Sequence, residues 1–238
     1  MHLLDDLDGL SPRAQTLLWR TGWRVPSEPD DLQIQMGHVR LIGDEFVTVP
    51  PMLTIRREGF ALRYGGLRYT VRRFLVLDGQ RHEMAREWNY DLGGLAWADK
   101  PGGWYFDWIG ERVSSPIRHL VHTDGRAGVE DGSSDFLEIA PSLPTLIESH
   151  ALMDELAEWD LCLWNVDIDQ WGDAGAELVD VPEASGPTVR WRISPTLAVQ
   201  EFQSWTHQRP RPWRAVAWTR GGRANRLLEA QTSASGRR

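Results

Sequence analysis

Between Met52 and Thr70 the chain reads MLTIRREGFALRYGGLRYT, and a helical apolar spacing gives way at Gly65-Gly66 to the alternation of a strand. Apolar residues at Met52, Ile55 and Leu62, and at Leu53, Phe60 and Tyr64, recur three to four apart and predict a helix with a broad apolar face. Pro50 and Pro51 stand before it, where a missing N–H costs least. Gly65 and Gly66 end it, because glycine tolerates the left-handed backbone of a C-cap. Leu67, Tyr69 and Val71 then alternate with Arg68, Thr70 and Arg72, which predicts a strand. A helix, a stop and a strand make an αβ unit on which the remaining elements pack.

At 238 residues the chain is long enough to bury a substantial core. No run of about 18 apolar residues occurs, which argues against a transmembrane helix. The acidic start, MHLLDDLDGL, is unlike a signal peptide. Cys162 is the sole cysteine, which excludes an internal disulfide and fits a reducing compartment. The expectation is a soluble cytoplasmic protein with no membrane partner. Thirteen tryptophans are spread along the chain, so most are expected in the core. A net charge of −8 argues against direct nucleic-acid binding.

In chain order, Ser11-Pro12 opens a first helix with Ala14, Leu17 and Leu18 on its apolar face and Gly22 as its stop. Val25 to Asp31 reads as a turn-rich connector, Gln33 to Arg40 as a short strand or a loop, and Leu41 to Val49 as extended. Arg72 to Leu77 continues the strand, and Asp78-Gly79 signals a hairpin. The stretch from His82 to Pro101 is ambiguous: the spacing of Met84, Trp88 and Leu92 is compatible with a helix face followed by a loop through Gly93-Gly94. Trp104 to Ile109 reads as a strand. Ile117 to Val121 and Arg126 to Val129 read as a hairpin closed by Thr123-Asp124-Gly125, with Gly132 to Asp135 a loop after it. Phe136 to Ile139 predicts a strand entering a helix over Ser142 to Ala157. Val189 to Ile193 reads as a strand, Leu197 to Trp205 as a short helix, and Ala215 to Trp218 as a strand. The tail from Gly221 is expected to be disordered.

Candidate chemistry is sparse. His119 and His122 lie three apart on a strand and point to opposite faces, so they do not suit one metal ion. Glu130, Asp131 and Asp135 beside Ser133 and Ser134 read as backbone-capping residues rather than acid–base groups. Cys162, between Leu161 and Leu163, reads as an inert thiol. No phosphate-binding glycine loop is present. No catalytic residue, metal or cofactor is therefore expected. The six arginines from Arg209 to Arg226 read as a solvated tail or as partners of the chain's own acidic residues. From Asp154 to Glu183 there are ten acidic residues and no basic one. Within and beside that run, Asp160, Trp164, Asp167, Asp169, Trp171 and Asp173 alternate carboxylates with aromatics. Such a surface either is simply solvated or captures a basic protein through charge and tryptophan anchors. Asp167 to Asp173 lacks the Gly and Glu placement of an EF-hand loop.

The order of elements, with Gly22-Trp23, Phe60, Tyr64-Gly65-Gly66-Leu67, the Asp124-Gly125 turn and Phe136 to Ile147, resembles the SUKH superfamily of SMI1/KNR4-like proteins. The resemblance spans about Leu10 to Leu156, with Trp23, Tyr64, Gly65, Gly66 and Leu67 as its structural motif. It implies an α+β fold with helices on a twisted, mainly antiparallel sheet. It also implies a bacterial immunity protein that binds and neutralises a cognate polymorphic toxin without catalysis. Nuclease-type toxins are typically basic, which fits the acidic run. The expected layout is a SUKH-like domain over 1–158, an acidic extension over 159–220 packed on it, and a basic tail over 221–238. The alternatives are a small-molecule enzyme with an aromatic pocket, using His119, His122 or Asp135, and a non-catalytic scaffold in a regulatory assembly.

Overall fold

Helix α1 (Pro12–Thr21) starts where the Ser11 side chain accepts the Ala14 N–H, and it buries Ala14, Leu17 and Leu18. Ser11 is held in turn by Glu148, which accepts its amide at 2.7 Å and its hydroxyl at 2.5 Å. The computed structural model describes residues 1–26, 38–40, 46–77, 80–98, 103–111, 117–130, 136–164, 178–203, 205 and 212–221. Within them the chain is α+β, with three α-helices and a large antiparallel sheet.

Helix α2 (Pro51–Tyr64) ends as expected at Gly65, whose N–H reaches the Ala61 carbonyl. Gly66 carries φ +77°, and a Cβ there would stand 1.9 Å from the Val25 carbonyl oxygen. That close approach lets β1 (Trp23–Arg24) pair along β4 (Leu67–Leu77), with Trp23 opposite Arg68. The broad apolar face divides. Leu53 and Phe60 are buried with Arg57 between them, whereas Met52, Ile55 and Leu62 are exposed. At 100° per residue Met52, Ile55 and Leu62 fall on one stripe, turned away from the stripe that meets the sheet.

The main sheet has seven strands in the order β1-β4-β5-β6-β7-β8-β9, each antiparallel to its neighbour. The others are β5 (Gln80–Ala98), β6 (Trp104–Glu111), β7 (Arg118–His122), β8 (Ala127–Glu130) and β9 (Leu137–Ala140). β2 (His38–Arg40) and β3 (Phe46–Thr48) pair separately. The ambiguous stretch with Met84, Trp88 and Leu92 at a helix-compatible spacing is the long strand β5, which runs on through Gly93 and Gly94. Arg86, Trp88 and Tyr90 follow period two, and cross-strand partners on β4 and β6 take up the backbone groups. The missing Cβ of Gly93 leaves room for the Asp107 carboxylate, 2.1 Å from where that Cβ would stand. Helix α3 (Leu143–Glu155) follows β9, capped by Ser142, and buries nearly every residue from Leu146 to Asp154.

After a 3-10 turn at Leu156–Glu158, β10 (Leu161–Trp164), β11 (Val179–Asp180), β12 (Val189–Ile193), β13 (Leu197–Gln203) and β14 (Trp213–Thr219) form a second antiparallel sheet. The expected helix over Leu197 to Trp205 is strand β13. Both of its faces are covered, Leu197 and Val199 on one side and Ala198 on the other, so its apolar run lacks the alternation of a half-exposed strand. Trp191 and Trp218 join the same core cluster as Trp88 and α3. No helix among the described residues is long and apolar enough to cross a membrane. The Asp78-Gly79 turn, the 132–135 loop, most of the 25–31 connector and the tail beyond Gly221 lie outside the described residues.

Candidate functional site

Beneath α3 the main sheet carries a buried polar cluster. The Tyr69 hydroxyl lies 2.8 Å from that of Tyr90 and 2.6 Å from His150 Nδ1. The His150 ring lies tilted against Trp88, with centroids 4.0 Å apart. His119 packs edge-on against Trp88 and Trp108, and Gly110 leaves it room, since a Cβ there would meet Nδ1 at 2.0 Å. Burial pushes His119 down to about 4. Burial, then the positive charge of Arg73, holds His150 well below the usual histidine range. Burial also raises both tyrosines. All four groups are thus neutral near pH 7.

The ionised groups around α1 and α3 are paired. Asp154 receives Arg20 and Arg72, including the Arg72 amide at 2.9 Å. Glu155 receives Arg13 at 2.6 Å, and Glu158 pairs with Arg72. Three acids of the Asp154–Glu183 run are therefore internal fasteners rather than free surface charge. Spacing alone did not show this, because their partners lie more than 80 residues away.

Of the residues expected to meet a partner, Asp160 is exposed and accepts the Gly221 N–H at 2.6 Å. Trp164 lies in β10, paired with Val216 on β14. Asp167, Asp169, Trp171 and Asp173 lie outside the described residues, as do Asp131 and Asp135. Trp23, Tyr64, Gly65, Gly66 and Leu67 converge where β1, α2 and β4 meet. His119 and His122 diverge: the first is inside, and the second sits beside Tyr105, Phe136 and Asp124. Among the described residues no three metal-ligating side chains gather.

The outward side of α2 carries large apolar side chains beside the exposed Arg56 and Glu58. Met52, Ile55 and Leu62 are 56%, 60% and 69% exposed on one stripe of α2, and Trp19 on α1 is 72% exposed. Trp23 and Val25 on the adjoining edge are also exposed. Leu62 borders one hollow with Arg57, Glu58, Arg24 and Pro26, so this end of α2 adjoins the β1 edge. The helical spacing contained this stripe, but nothing in it said which apolar face turns outward. No family model matches the chain, and no curated protein or solved structure matches it either.

Proposed function

We propose that the chain is a non-catalytic binding protein that captures and neutralises a partner protein domain, as the SUKH resemblance implies for bacterial immunity proteins. The observation that carries this reading is the exposed stripe Met52, Ile55 and Leu62 on α2. Large apolar side chains gathered on one face mark protein interfaces, and centrally placed ones supply most of the binding energy. The net charge of −8 favours a basic partner through long-range steering, with Asp160 and the acidic extension contributing the charge. A cognate toxin domain of nuclease type meets both requirements.

The test is co-expression with the C-terminal domain of a basic, nuclease-type polymorphic toxin, taken from the neighbouring reading frame where one encodes it. Rescue of growth and co-purification are expected. Single changes Met52→Asp, Ile55→Asp and Leu62→Asp should each abolish co-purification while leaving the thermal melt in place. A toxin domain that wild-type protein neither binds nor silences overturns the reading. Full binding by all three variants removes α2 as the face.

A further inference from the structure

Between α3, the face of β4 and β5 beneath it, and strands β12 to β14 lies a cavity of about 440 Å³. That size suits a small organic molecule. Its walls include the rings of Trp88, Phe202, Trp205 and Trp218. Two arginines, Arg73 and Arg86, line it, and among the described residues no acidic side chain does.

The charges do not balance. Arg86 Nε lies 3.5 Å from Glu111 Oε1, and Glu111 is also the acidic group acting on Arg73. Among the described residues two guanidinium groups thus share one carboxylate, leaving about one positive charge over. His150 lines the same cavity but is neutral, so it does not alter that sum. Arg73 Nε is buried with no hydrogen-bond partner among the described residues, an arrangement costly to keep without a ligand. Gln200 is buried on the opposite wall. Ser149 accepts the Trp191 indole N–H at 2.8 Å and so keeps its own hydroxyl proton to donate.

We propose that this cavity binds a small aromatic monoanion, with its carboxylate or sulfonate on Arg73 and its ring among Trp88, Phe202 and Trp205. The guanidinium fork matches a planar carboxylate in two parallel hydrogen bonds, and tryptophan faces suit a flat ring. The site is independent of the α2 stripe, so it stands or falls separately from partner binding.

The probes are indole-3-acetate, its neutral amide, and anilinonaphthalene sulfonate, titrated calorimetrically into the full chain. One-to-one binding of at least one anion is expected, with the amide about tenfold or more weaker than indole-3-acetate if that acid is the one bound. Arg73→Gln should erase the anion's advantage, and Phe202→Ala should weaken the bound probe. Should Arg73→Gln not fold, Arg73→Lys must reduce the acid-over-amide preference instead, because a point charge lacks the fork. Silence of both anions, equal binding of acid and amide, or an undiminished preference in the Arg73 variant overturns the assignment.

Discussion

Trp191 donates its indole N–H to the Ser149 hydroxyl at 2.8 Å, tying the second sheet to the helix that covers the first. The same indole stacks on Trp218 at 5.4 Å and is almost wholly buried. Trp191→Ala should cost about 3–5 kcal/mol of stability, whereas Trp191→Phe, which mainly loses the bond, should cost about 1–2. Because the core is continuous, urea unfolding followed by tryptophan fluorescence and by backbone dichroism should give one shared midpoint. Two separated midpoints would show that the sheets fold independently.

Asp154 is the buried anion at the meeting of α1, α3 and β4, with its side chain 5% exposed. Among the described residues, Asp154→Asn leaves Arg20 without a charged partner and Arg72 with Glu158 alone. Since both arginines keep some contact with water, the expected loss is about 2–3 kcal/mol rather than the full value for a buried pair. Chemical denaturation of the variant, read against Glu155→Gln as a more exposed control, decides it. Equal small losses for the two would mean Asp154 is only a surface charge.

The buried histidines make stability depend on pH. His119 folds with its pKa pushed down to about 4, below the ordinary 6.5, and His150 is lowered too. As pH falls, the unfolded chain takes up these protons first. The contribution of each is therefore complete above pH 6.5 and is lost as pH falls, for His119 between there and about 4. His119 alone accounts for about 3 kcal/mol across that window. His119→Phe should flatten the fall measured by urea unfolding between pH 7 and pH 5. An unchanged slope in that variant would assign the dependence to other groups.

Gly66 and Gly94 should respond differently to alanine. Gly66→Ala forces a Cβ into the left-handed region and onto the Val25 carbonyl, and a loss above about 2 kcal/mol is expected. Gly94 has open space around its Cβ position within strand β5, so Gly94→Ala should be neutral or slightly stabilising. Thermal melts of the pair check the contrast, and a neutral Gly66→Ala would sink the close-approach account.

Local chemistry alone determined the signals that act over a few residues. Ser11-Pro12, Pro51 with Gly65-Gly66, and Ser142 set the helix ends, and the Asp124-Gly125 turn set the hairpin between β7 and β8. It also showed that His119 and His122 part company, because strand alternation is geometric. Only the tertiary structure decided that residues 80–98 and 197–203 are strands, since cross-strand partners and burial on both faces override a helical spacing of apolar residues. It alone decided which stripe of α2 faces outward, and which acids of the Asp154–Glu183 run are spent on Arg13, Arg20 and Arg72. Arg73 carried no mark in the sequence, because its surplus charge exists only once Arg86 and Glu111 are folded beside it.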